Sequence, residues 1–275
     1  MVFSYGIRQQ LNGKVYLKIT LPLKVIKTYI IRNMISTIDC FYYTIIKNKF
    51  KGGTMEEKRI AAKRAVDYVH DGMIVGLGTG TTAYWAIKKL ALKVHEGLNI
   101  KAIATSIQSE ELARKLGISL ISFSDIDEID ITIDGADEVD YNFNLIKGGG
   151  GALLREKIVA AASKQLVIVV DQSKLVNRLG LFPLPVEIVK FGHEVTMKNL
   201  SKLQCKAKLR MKNEKVFVTD NGNYIVDCHF DSIENPKELH NKINLIPGVV
   251  DNGLFVDMAD KVIVGYQNGE VKELY

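Results

Sequence analysis

Metal-ligand and disulfide spacings are missing from this 275-residue chain. Its three cysteines, Cys40, Cys205 and Cys228, are far apart and odd in number. They form no zinc-ligand pattern and no disulfide framework, which favours a reducing, cytoplasmic compartment. The five histidines include no HxH or HExxH spacing, so no metal site is expected. No run of eighteen apolar residues occurs, so no membrane span is expected. Internal repeats are absent too. What remains is ordinary globular composition, 47% hydrophobic and 25% charged.

The net charge of +6 misleads about partners. Residues 1–54 carry seven lysines and two arginines against one aspartate, a surplus of eight. The rest of the chain is therefore two short of neutral. A nucleic-acid interface needs its basic face on the folded part, so no nucleic-acid partner is expected. Residues 1–54 are rich in Ile, Lys, Asn and Tyr and lack a single apolar block followed by a cleavage site. They read as an extension, disordered or belonging to a mis-assigned start, with Met55 as the initiator. A transit peptide is the other reading, although Arg and Ser are few.

From Met55 short apolar segments alternate with amphipathic ones. Strands are expected at 73–77, 101–105, 119–123, 129–133 and 165–170, and helices over 56–69, 83–94, 108–116 and 152–162. That rhythm is of the α/β class, a doubly wound, mostly parallel (Rossmann-like) sheet. Phe182-Pro183-Leu184-Pro185 is expected as a boundary, because proline continues neither element centrally. Beyond it, strands at 186–190, 207–211, 216–219, 224–229 and 253–258 and helices at 194–203 and 237–244 suggest a second, smaller α+β domain. Asn221-Gly222 signals a hairpin. Residues 261–265 look like a strand returning to the first sheet. The expected division is thus 1–54, then 55–181 plus 259–275, with 182–258 as the smaller domain.

Four clusters suggest chemistry. The first is Gly76-Leu77-Gly78-Thr79-Gly80-Thr81-Thr82, between a strand and a helix. Its glycines let an anion approach free backbone N–H groups at a helix start. A dinucleotide fingerprint fails at Thr81, and the Gly-Lys-Ser/Thr of a Walker loop is absent. A single phosphate suits the loop, and a plain tight turn is the alternative. The second is Asp134-Gly135-Ala136-Asp137, at the carboxyl end of a parallel strand, where open α/β sheets bind ligands. Turn capping and a magnesium site are its alternatives. The third is Lys147-Gly148-Gly149-Gly150-Gly151, either a flexible connector or a nest of amides for an oxyanion. The fourth is Glu156, in the first turn of a helix, where acids are also favoured electrostatically. Together, a carboxylate base, a lysine and oriented N–H groups are what enolisation beside a carbonyl requires. Lys58 and Lys174 are further candidates to neutralise a phosphate, although isolated lysines are usually solvated.

These blocks, in this order and spacing, resemble those of the ribose-5-phosphate isomerase A family, and Asp171–Lys174 adds another. The resemblance runs from Met55 to the C-terminus. It implies interconversion of ribose 5-phosphate and ribulose 5-phosphate, in the pentose phosphate pathway, through an enediol(ate) and without a cofactor. It implies Glu156 as the base and Asp134, Asp137 and Lys147 as partners of the sugar oxygens. Thr79, Gly80, Thr81 and Thr82 then form the substrate loop, with Lys58 on the phosphate. Gly135, Ala136, Gly148, Gly149, Gly150 and Lys174 complete the binding surface. The family usually has serine where this chain has Thr81. The resemblance also implies a homodimer or homotetramer. Rival readings are an amino-sugar-phosphate deaminase, for which a histidine near the acids is lacking, a CoA transferase, and a sugar-phosphate sensor domain.

Overall fold

The computed structural model describes residues 9–11, 14–16 and 55–275. Met1–Lys51 and Gly52–Tyr275 are separate units. In the first, β1 (Gln9–Leu11) and β2 (Lys14–Tyr16) pair antiparallel, Gln9 opposite Tyr16. The remaining expectations for residues 1–54 lie outside the described residues.

The second unit opens with α1 (Met55–Ala65). Glu56 and Glu57 in its first turn and Lys63 and Arg64 in its last suit the helix dipole. The helix buries Ala61, Ala62 and Ala65. There follow β3 (Ile74–Leu77), α2 (Thr81–Glu96), β4 (Lys101–Ala104), α3 (Ile107–Lys115) and β5 (Ile131–Asp134). Two very short strands come next, β6 (Glu138–Val139) and β7 (Leu145–Ile146), then α4 (Leu153–Ala161) and β8 (Leu166–Asp171).

Beyond β8 the chain forms β9 (Leu184–Ile188), α5 (His193–Ser201), β10 (Lys206–Leu209), β11 (Met211–Lys212), β12 (Lys215–Val216) and β13 (Tyr224–His229). It continues with α6 (Pro236–Asn244), β14 (Val249–Asn252) and β15 (Leu254–Phe255). It returns through β16 (Lys261–Gly265) and ends on β17 (Val271–Leu274).

The six-stranded sheet has the order β17-β16-β8-β5-β3-β4. Its pairs are parallel except β16 with β17. All six residues of β8 are buried, as a strand covered on both faces must be. Burying each such apolar side chain contributes about 1.5–3 kcal/mol. A four-stranded antiparallel sheet, β10-β13-β9-β14, has its own core around Leu184, Val186, Ile188, Leu200, Val226 and Ile243. The fold is therefore α/β with a mostly parallel sheet accompanied by smaller antiparallel ones.

Several local expectations need correction. Residues 119–123 form no strand; Leu120 makes an isolated bridge to Ala102, and a 3-10 turn covers Phe123–Asp125. Ser122 and Asp125 cap that turn reciprocally, which stops an extended segment. Pro185 does not bound β9 but lies inside it. The ladder uses its carbonyl, which accepts from Gly253 N–H at 2.7 Å, so the missing N–H costs nothing there. Of the single strand expected at 253–258 only Leu254–Phe255, β15, is extended; β14 ends before it, at Asn252, and belongs to a different sheet. Lys215–Val216 pairs with β11, across a reversal at Asn213 and Glu214, both at positive φ. The Asn221-Gly222 turn is present nevertheless, bridging Val218 to Tyr224 with Gly222 at φ 84°.

Candidate active site

Strands β3 and β5 run side by side, so their carboxyl ends deliver Gly78 and Asp134 to one place. Asp134 Oδ1 accepts from the N–H groups of Thr79, at 3.1 Å, and Gly135, at 2.8 Å. The approach is close enough that a Cβ on Gly78 would fall 2.1 Å from Oδ1. Glycine at 78 is thus demanded by the carboxylate rather than by backbone conformation.

Asp134 Oδ2 faces Lys147 Nζ at 2.9 Å. Lys147 follows β7, and its ammonium also donates to the Gly135 carbonyl. Glu156, one turn into α4, places Oε2 3.6 Å from the same nitrogen. Asp134, Lys147 and Glu156 are 1%, 2% and 5% exposed, so their mutual charges are poorly screened. Glu156 Oε2 has no hydrogen-bond partner. Burial pushes the Glu156 carboxyl up to about 8; Lys147 opposes this, while Asp134 and Asp137 add to it. Burial works against charge on Lys147, but Asp134 and Glu156 outweigh it and hold the ammonium above its ordinary value.

Asp137 is half-buried, and its Oδ2 accepts from Gly149 N–H at 2.7 Å. Burial raises its carboxyl, against the pull of that N–H, Lys147, Lys174 and Arg210. Lys174 closes the 3-10 turn Gln172–Lys174 that follows β8. Ala136 packs against the core beside Val139 and Leu145.

The Gly78–Thr82 loop caps α2 through Gly80, at φ 98°. Thr82 is buried and Thr81 half-buried. Lys58 reaches across from α1, donating to Thr81 Oγ1 at 3.4 Å and lying 3.6 Å from Asp171 Oδ2. The Thr79 hydroxyl is turned inward, 2.7 Å from both Thr105 Oγ1 and Ser106 Oγ, and its N–H is held by Asp134, so Thr79 shapes the loop from within. Gly150 meets the loop, a Cβ there lying 3.6 Å from Thr79 Cγ2. Gly148 adopts φ 99° and Gly149 is exposed.

The candidates therefore fall into an acid–base group (Asp134, Asp137, Lys147, Glu156) and a loop group (Lys58, Thr79–Thr82), joined through Asp134 and the Gly148–Gly150 segment. A groove of about 650 Å³ bordered by Glu110, Arg114, Phe123 and Ile158 contains none of them. Two residues beside the site gain a candidate role only from the structure, the sequence marking Asp171 solely as the start of the Asp171–Lys174 block. Asp171 carries a buried oxygen without a hydrogen-bond partner facing Lys58. Arg210 donates to the carbonyls of Gly148 and Gly149 from 61 and more residues away. Asp171 sits at a strand end, a readable signal; an isolated arginine carries none.

Among the described residues no group of three or more His, Cys, Asp or Glu side chains could hold a metal ion. No helix among them is long and apolar enough to cross a membrane.

Fold and site together define an α/β enzyme whose buried carboxylates and lysine meet at the carboxyl ends of parallel strands. Residues 101–269 match the family described as ribose 5-phosphate isomerase A (phosphoriboisomerase A). Ribose-5-phosphate isomerase A of Bacillus cereus (strain ATCC 10987 / NRS 248) is 55% identical over 221 residues, covering 80% of this chain and 100% of that protein. The ribose 5-phosphate isomerase of Plasmodium falciparum is 44% identical, with a TM-score of 0.78, covering 80% of this chain and 98% of its own. A D-ribose-5-phosphate isomerase solved in complex with phospho-erythronic acid is 42% identical with a TM-score of 0.78, covering 81% and 99%. The chain belongs to the ribose 5-phosphate isomerase A family, and it is an aldose–ketose isomerase.

Proposed function

We propose that this chain interconverts D-ribose 5-phosphate and D-ribulose 5-phosphate with Glu156 as the base. The observation that carries this reading is Glu156 Oε2, buried, without a hydrogen-bond partner and 3.6 Å from the Lys147 ammonium. A base whose carboxyl titrates near 8 both takes and returns a carbon-bound proton near neutral pH.

On the open-chain aldose, Glu156 removes the proton on C2. The C2–H electron pair forms the C1=C2 bond, and the C1 carbonyl oxygen becomes an enediolate oxygen. Lys147 and the N–H groups of the glycine segment offset that charge; one such donor contributes on the order of 3 kcal/mol. Asp134 and Asp137 hold the sugar oxygens and exchange their protons, so that O1 gains one as O2 loses one. Glu156 then returns its proton to C1. The phosphate sits on the N–H groups of Gly80–Thr82 at the start of α2, with Lys58 beside it and Lys174 at the sugar's edge. No metal or organic cofactor enters the scheme. We extend the proposal to a cytoplasmic homodimer or homotetramer, which light scattering would measure.

The reading is tested by incubating the protein with ribose 5-phosphate in D₂O. Ketopentose formation with solvent deuterium entering at carbon is expected, and both should vanish in Glu156→Gln. Turnover with carbon-bound exchange persisting in that variant would assign the base elsewhere.

A further inference from the structure

Arg210 is a charged side chain outside the acid–base group, standing where β10 gives way to β11. Its guanidinium is held from behind by Asp227 of β13: Nε donates to Oδ2 at 2.9 Å, and Nη2 donates to Oδ1. That grip leaves Nη1 aimed at the glycine segment, where it donates to Gly148 O at 2.8 Å and approaches Gly149 O at 3.3 Å. The same segment turns Gly149 N–H the other way, onto Asp137 Oδ2 at 2.7 Å. An unbroken chain of hydrogen bonds thus runs from Asp227 through Arg210 and one glycine peptide to Asp137. Phe217, just after β12, supports the segment from its far end, its ring so close to Gly151 that a Cβ there would fall 2.4 Å from Cζ.

Four consecutive glycines, Gly148–Gly151, resist distortion weakly, with one backbone hydrogen bond of their own, from Gly151 N–H to Gly148 O at 2.9 Å. Something outside them must select one conformation. A planar, five-donor fork gripped by a carboxylate is suited to that task; a lysine's point charge is not. The side chain of Arg210 is 14% exposed and that of Asp227 22%, so the pair is shielded from solvent competition.

We propose that Arg210, anchored by Asp227, is a positioning residue that sets the Gly148–Gly149 peptide and, through it, the Asp137 carboxylate against the sugar. This rests on the isomerase reading above. The antiparallel sheet then shapes the catalytic group directly, by one side chain.

The test is a double-mutant cycle on the full chain, using Arg210→Met, Asp137→Asn and both together, with ribose 5-phosphate as substrate. Arg210→Met is expected to lower kcat/KM about tenfold or more, as small misplacements of reacting groups do. In the Asp137→Asn background the same change is expected to add less than about threefold, since both act through one carboxylate. The acid limb of the kcat/KM profile should move to higher pH in Arg210→Met. Amide exchange at Gly149, followed without substrate, should quicken in that variant. Losses that multiply independently, an unmoved acid limb or unchanged Gly149 exchange would overturn the inference. An unaltered protein that fails to turn over ribose 5-phosphate would instead sink the isomerase reading, leaving the exchange measurement to judge Arg210. If Arg210→Met does not fold, Arg210→Lys enters the same cycle under the same criteria.

Discussion

Lys147 Nζ lies 3.6 Å from Glu156 Oε2, close enough to attract it but not to engage it, because the shorter contact, 2.9 Å, goes to Asp134. The consequence is a carboxylate with an electrostatic guardian and no hydrogen-bond partner on that oxygen. A tight ion pair would suppress the basicity of that oxygen; isolation would keep the carboxyl protonated.

Glu156→Gln should reduce kcat about a thousandfold while leaving KM within a few-fold, as loss of a positioned proton-transfer group does. The same substitution should not destabilise the protein. A carboxyl raised from 4.5 to about 8 on folding weakens the native state progressively between those pH values and fully above them. The melting temperature of Glu156→Gln relative to the unaltered protein should therefore rise from pH 5 to pH 9. A difference that falls over that range would contradict the assignment.

Lys147→Met removes the cation facing two buried carboxylates. A cost of about 3–5 kcal/mol is expected from stranding a buried charge. Whatever folds should show its acid limb at higher pH, because Lys147 is what pulls the Glu156 carboxyl down. Chemical denaturation and a pH–rate profile measure the two effects.

Gly78→Ala is expected to damage activity more than its small size suggests. The added methyl would occupy the space of Asp134 Oδ1, forcing that carboxylate away from Thr79 and Lys147. A loss of kcat/KM of about a hundredfold is expected, read in the ketopentose assay beside a melting curve.

Glu273 offers a prediction remote from the site. It accepts hydrogen bonds from Tyr275, Tyr68 and Arg64, which hold its carboxyl down at about 2. A depressed carboxyl stabilises the fold above its unfolded value of 4.5, and that stabilisation is lost as pH falls toward 2. Glu273→Gln should lower the melting temperature at pH 7 and make no difference near pH 2.

Chelators should leave turnover intact. Lys147 occupies the space beside Asp134 that a magnesium ion would need, and an ammonium there repels a dication. Activity lost with EDTA and restored by magnesium would refute this.

Much of this arrangement is legible in the sequence. Strands β5, β8 and β16 are short, wholly buried runs, and such runs announce themselves by composition. Asp134, Lys147 and Glu156 stood out because their types are unusual where strands end and glycines cluster. Other features stayed hidden for identifiable reasons. Strands β6 and β7 have two residues each, too short for any periodicity. The Ser122–Asp125 capping box was readable, but the apolar Leu120-Ile121 before it suggested a strand instead. The inward Thr79 hydroxyl depends on Thr105 and Ser106, which only the fold brings near. Arg210 belongs to the same class, since its meaning resides in carbonyls far away in the chain.

Strands β8 and β16 lie next to each other and point the same way, Val167 beside Lys261. Everything from residue 172 to residue 260 is therefore a crossover, carrying the chain from the carboxyl end of β8 back to the amino end of its neighbour β16. Most crossovers make that journey with a single helix. Here an entire sheet with its own core makes it. An engineer trimming this protein could not substitute a tight hairpin, because the path must still span the sheet's length; a bare helix could span it, but would arrive without the guanidinium that steadies the glycines.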